Sequence, residues 1–197
     1  MKAKRRKIRA RGSIGSAVTL LALLGPSMVL AGDKKTKPQE LKLTGLTMSV
    51  PASWTKTPPK RSGPMAPRAI YTIPSLEGDS QTGMVRITYF PGMKGKDELN
   101  INRWLGQVTR SDGKPSTRDS AKITKKTIAG VHLTIVDVAG TVRATMRGKS
   151  QSQSRMIAAI IDHPKGPHFV VVSGNAKLIK KWEKDIYRFL ESAKVQQ

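Results

Sequence analysis

Three histidines, His132, His163 and His168, are the residues of this chain best suited to proton transfer or metal binding. His163 and His168 flank the turn Asp162-His163-Pro164-Lys165-Gly166-Pro167, so both could converge on one ion with Asp162. The chain has no cysteine and no His-Glu-x-x-His pattern to complete such a set, and a metal site is not expected. A serine hydrolase needs a nucleophile, a histidine and an orienting carboxylate. There is no Gly-x-Ser-x-Gly elbow, and Asp137 lies five residues after His132 on one expected strand, where alternation turns the two to opposite faces. Gly92-Met93-Lys94-Gly95-Lys96 lacks the spacing of a phosphate-cradling loop. With 13 acids in all, Asp97 and Glu98 are best placed as charges at the positive end of a helix. The expectation is therefore no catalytic set, no metal ligands and no cofactor. A hydrolase whose residues converge only in the fold, with His132, His163 or His168 as its base, is the rival expectation, and a structural component of the envelope is the third.

Charge is the stronger signal. Lysine and arginine number 36 against 13 acids, a formal net charge of +23. Seven of those cations fall within residues 1–11, which carry no acid, and an uncharged run from Gly12 to Gly32 follows. A positive segment, an apolar segment broken by Gly25-Pro26 and the small exit Val29-Leu30-Ala31 make an export signal over residues 1–31, with cleavage after Ala31; the rival is an uncleaved signal kept as a membrane anchor. Cleavage would leave a charge of +16, a field that draws in anionic surfaces and acidic partners. The expected location is secreted or periplasmic. Without cysteine, stability must come from packing even in an oxidising compartment.

Residues 32–40 read as a flexible linker, and a single domain spans 41–197. Leu41 to Val50 alternates around Gly45 as two short strands. Residues 55–68, with four prolines, read as irregular surface. Ala69–Ile73 and Met84–Phe90 form strands, the second with Val85, Ile87 and Tyr89 on one face and Arg86 and Thr88 on the other. Ile101, Trp104, Leu105 and Val108 share one helical face. Ile123–Ile128 and Val131–Val138 make a hairpin about Ala129-Gly130. Residues 141–154 read as a mobile polar excursion, and Arg155–Ile161 and Phe169–Ser173 as buried strands. The last segment is one amphipathic helix. Leu178, Ile179, Trp182, Ile186, Phe189 and Leu190 line its apolar side, with Lys177, Lys180, Lys181, Lys184 and Arg188 opposite.

This order gives an α+β sandwich, an antiparallel sheet of six or seven strands packed by helices. Val50-Pro51-Ala52-Ser53-Trp54, Asn102-Arg103-Trp104-Leu105, Gly130-Val131-His132-Leu133 through Asp137-Val138-Ala139-Gly140, and Gly166-Pro167-His168-Phe169 resemble segments of the PsbP-like families. Those families include the PsbP subunits of photosystem II and the bacterial DcrB-type envelope proteins. The resemblance spans Leu41 to Val195 and implies a fold whose members mostly bind other proteins. Fold alone assigns no partner. The basic ridge Lys177, Lys180, Lys181, Lys184 and Arg188 is the expected binding surface, for a protein partner or an anionic envelope surface. Specific nucleic-acid binding is not expected, because Trp54, Trp104 and Trp182 sit where a core would claim them and not where bases could stack.

Overall fold

The computed structural model describes residues 37–60, 62–143 and 150–196. The expected export signal and most of the expected linker lie outside the described residues. So do Arg147 and Lys149 of the polar stretch.

The chain opens with the hairpin β1 (Gln39–Leu43) and β2 (Leu46–Val50). Its turn needs Gly45, whose φ is +69° and where any Cβ would overlap the ring of His163. A three-residue strand β3 (Thr55–Thr57) follows, within the segment expected to be irregular. Three residues are too few to show alternation, and β3 is held by pairing with β4 (Ala69–Ile73). β5 (Gly83–Tyr89) pairs with β4 and buries Val85, Ile87 and Tyr89, as alternation requires.

Helix α1 (Asp97–Leu105) buries Ile101, Trp104 and Leu105. Val108, which shares their helical spacing, instead begins the two-residue strand β6 (Val108–Thr109) and pairs with Val142. Either conformation buries it, so the spacing could not separate them. Beyond a polar loop, β7 (Lys122–Ile128) and β8 (Val131–Val142) form the expected hairpin. Ala129 and Gly130 both take positive φ, the requirement of a tight two-residue hairpin turn.

The stretch 141–154 differs from its expectation. β8 runs on to Val142, and β9 (Gln151–Ile161) already begins at Gln151, so polar residues extend the ladder beyond the apolar run. β10 (His168–Asn175) lies between β9 and β5. The expected single C-terminal helix is two: α2 (Ala176–Lys181) and α3 (Glu183–Glu191) meet at Trp182. The indole there is half-buried and donates to the Pro74 carbonyl at 3.2 Å. A short β11 (Lys194–Val195) pairs with β2.

The fold class is as expected. The main sheet has eight antiparallel strands in the order β3-β4-β5-β10-β9-β8-β6, with β7 also on β8, and β1, β2 and β11 form a smaller sheet. Short β3, β6 and β11 account for the strands beyond the expected number. One face of the main sheet is covered by α2, α3 and β2, through Val131, Leu133, Ile135, Ile186, Phe189 and Leu190. The other face packs α1 on Val136, Val138, Met156, Ala158 and Ile160.

Arg155 of β9 ties the first of these layers together. Its Nε donates to Asp137 Oδ1 at 2.8 Å and its Nη2 to Asp137 Oδ2 at 2.6 Å. Nη2 also reaches Glu183 of α3 at 2.6 Å, and Tyr187 donates to Asp137 at 3.0 Å. The two carboxylates push the Arg155 pKa further up, and burial and the Asp137 charge raise that of Tyr187. Replacing Asp137 by asparagine should cost about 1.5–3 kcal/mol, because Arg155 keeps Glu183 but loses its two charge-assisted hydrogen bonds to Asp137. Denaturant melts of Asp137→Asn beside Asp137→Leu/Arg155→Leu check this, with the double variant expected to recover most of the loss. Lys180 and Arg155 hold the Glu183 carboxyl down to about 2, from an ordinary 4.5. Its contribution is present above pH 4.5 and is lost as pH falls towards 2, so Glu183→Gln should flatten stability in that window.

Candidate functional site

The expected ridge stands on the outer side of α2 and α3, and Lys177, Lys180, Lys181, Lys184 and Arg188 are all exposed. Two of the five are neutralised locally: Lys180 pairs with Glu183 at 2.7 Å and Arg188 with Asp185 at 2.8 Å. Lys177, Lys181 and Lys184 form no ion pair among the described residues. The ridge is outward because the opposite side of the same helices is fixed in the core by Leu178, Ile179, Ile186, Phe189 and Leu190. The three tryptophans lie where expected. Trp54 and Trp104 are buried, and Trp182 is half-buried at the helix joint.

The histidines separate into two places. His163 and His168 come together at the β9–β10 turn, their ring centroids 6.2 Å apart and nearly perpendicular. The Lys165 amide donates to His163 Nδ1 at 3.2 Å. His168 is 0 % exposed, stacks at 4.8 Å on Tyr89 and has no hydrogen-bond partner on either ring nitrogen. Burial, then the neighbouring His163 and Arg68, lowers its pKa to about 4. No group of three or more His, Cys, Asp or Glu among the described residues has the geometry of a metal site.

His132 lies apart from them, on the α1 side of the sheet, and Asp137 points to the opposite face as alternation predicts. It borders an open cleft of about 300 Å³. The β7–β8 register sets Thr127 opposite His132 and Lys125 opposite Thr134. The Thr127 hydroxyl and His132 Nδ1 are 2.9 Å apart. The Asp162 amide donates to the His132 carbonyl at 2.9 Å, which places Asp162 beside them, and Asp97 enters from the first turn of α1. Burial and the charge of Asp162 raise the Asp97 pKa, with Lys125 partly offsetting them.

This gathering of Asp97, Asp162, Thr134 and His132 is the feature that reading by sequence missed. Asp97 has a sufficient role as a helix N-terminal charge, and Asp162 lies in a turn beside two other histidines. The usable signal was the two-residue turn at Ala129-Gly130, which fixes the register across β7 and β8. Arg155, Asp137, Glu183 and Tyr187 were missed for a similar reason, since their network joins positions far apart in the chain.

No protein-family model matches the chain, and no curated protein matches it. Among solved structures, the chain is similar to cyanobacterial PsbP from Synechocystis, with 13 % identity and a TM-score of 0.53 over 87 % of this chain and 100 % of that one. A Pseudomonas aeruginosa protein of unknown function matches with 10 % identity and a TM-score of 0.44, over 82 % of this chain and 99 % of its own. The chain therefore has a PsbP-like fold. No helix among the described residues is long and apolar enough to cross a membrane.

His168 makes the fold acid-sensitive. Its ordinary pKa is 6.5 and its folded value about 4, so the unfolded chain binds more protons between these values and stability falls as pH drops through that window. The loss should be on the order of 2–3 kcal/mol. Thermal melts from pH 7 to 4 should show it, and the replacement His168→Leu should remove most of the slope. An unchanged slope in that variant would place the acid sensitivity elsewhere.

Proposed function

We propose that this chain is an exported, non-enzymatic binding module, of the kind found among DcrB-type envelope proteins, that docks on an anionic surface through α2 and α3. The observation that carries the proposal is the row Lys177, Lys181 and Lys184, exposed, on one side of a rigidly seated helix pair and without carboxylate partners among the described residues. Lysines on flexible stems, with no exposed aromatic or large apolar side chain between them, suit long-range attraction to a diffuse anionic surface. A tight protein interface would centre on buried aromatic or arginine anchors, which this row lacks. The export signal of residues 1–31 supplies the route to an envelope surface.

A second reading, a hydrolase based on His132, is favoured by the cleft that gathers this histidine with Asp97 and Asp162. Catalysis would require a carboxylate to orient the imidazole. The side-chain hydrogen bond that His132 makes is to Thr127, and among the described residues neither aspartate bonds to it.

The test is sedimentation of the purified protein with vesicles containing anionic lipid, beside Lys177→Glu/Lys181→Glu/Lys184→Glu with its fold verified by circular dichroism. At about 1 kcal/mol per cation near such a surface, the triple variant should bind roughly 100-fold more weakly. Wild-type binding should fall steeply with salt. Equal binding by both proteins moves the interface off the ridge. Capture of an acidic protein in place of vesicles, lost in the same variant, assigns the ridge to a protein partner.

A further inference from the structure

The cleft on the other side of the sheet has a chemistry opposite to the ridge. It is a shelf of β7 and β8, bordered by Asp162 just past β9 and by Asp97 at the start of α1. Seven acids among the described residues pair with a lysine or arginine. Asp97 and Asp162 are half-buried, line the same cleft and have no ion pair among the described residues. Between their elements stands Thr134, 8 % exposed, whose hydroxyl has no hydrogen-bond partner among the described residues although it lines the cleft. That hydroxyl is reached from the open cleft and is not sealed in the core, so a molecule bound there can meet it. Lys125, directly across the β7–β8 ladder from Thr134, is exposed at the rim and forms no ion pair with either aspartate.

We propose that this cleft binds a small zwitterion carrying a primary ammonium. The three N–H donors of the ammonium go to the Asp97 carboxylate, the Asp162 carboxylate and the Thr134 hydroxyl, while Lys125 takes the anionic group of the same molecule. A primary ammonium has three donors and no acceptor, which matches three acceptors lining one cleft from α1, β8 and the residue after β9. It also relieves the crowding of two like charges at Asp97. A metal ion is a poorer match, because no third His, Cys, Asp or Glu joins the two aspartates in a ligating group among the described residues. The volume, about 300 Å³, is that of a cleft for a small molecule.

The test is an NMR titration of the isotopically labelled protein with O-phosphoethanolamine, read at the amides of His132, Thr134 and Asp162. Saturable shifts at these positions are expected. Phosphocholine, whose nitrogen carries no N–H, should bind at least roughly tenfold more weakly, the loss of charge-assisted hydrogen bonds. Thr134→Val, nearly isosteric, and Asp162→Asn should each weaken binding by a similar factor. Should Asp162→Asn fail to fold, Thr134→Val decides alone. Shifts that do not saturate, equal affinity for phosphocholine, or binding unaffected in Thr134→Val would overturn the site. Vesicles bearing phosphatidylethanolamine, run beside the free compound, distinguish a lipid headgroup from a soluble zwitterion. The charge-reversed ridge variant should keep this binding, so failure of the ridge and failure of the cleft are read separately.

Discussion

The arrangement of layers depends on one guanidinium. Arg155 grips Asp137 with two parallel hydrogen bonds and gives a third to Glu183, so β8, β9 and α3 meet at a single planar group. The apolar contacts of α2 and α3 supply close packing against the sheet but no fixed donor-acceptor geometry. A fork of donors in fixed geometry does not slide. It adds direction to a seat that Leu178, Ile179, Ile186, Phe189 and Leu190 make, with the lysine row outward. The exposure of the lysine row follows from the burial of the far side of the same helices, which this fork reinforces.

Much of this architecture was legible in the sequence because it obeys two periods. Alternation at Val85, Ile87 and Tyr89 and across Val131 to Val138 marks strands, and the spacing of Ile101, Trp104 and Leu105 marks a helix. What escaped has no period to show. β3, β6 and β11 are two or three residues long and exist because a neighbour pairs with them. The ends of β8 and β9 beyond the apolar run are polar residues recruited by backbone pairing. Trp182 fits the apolar stripe perfectly well, yet its tie to Pro74 marks the place where one helix becomes two. The ridge was readable because it lies within one element, whereas the cleft draws on four and required the register between them.

The two surfaces answer different problems of charge. A chain with a net charge of +23 repels free cations at a distance, and salt screens that repulsion only beyond about 8 Å. A simple amine would have to approach against this field to reach Asp97 and Asp162. A zwitterion carries no net penalty on approach, and its anionic end is attracted by the same field. The lysine at the rim, which looks like a competitor for the aspartates, then serves the other half of the ligand.

The strand order also carries a consequence for how the chain comes to be folded. β5 lies between β4 and β10, with Ile87 beside Val170, so its second neighbour is made long after it. Hairpins β7–β8 and β8–β9 can close locally, but the N-terminal strands join them only when β10 arrives, and long-range closure of this kind is slow. Until then Val85 and Ile87 have no second strand beside them and no helix layer above. The sheet thus stays unfinished until β10 is available, leaving an interval in which Val85 and Ile87 are open to water and to other chains.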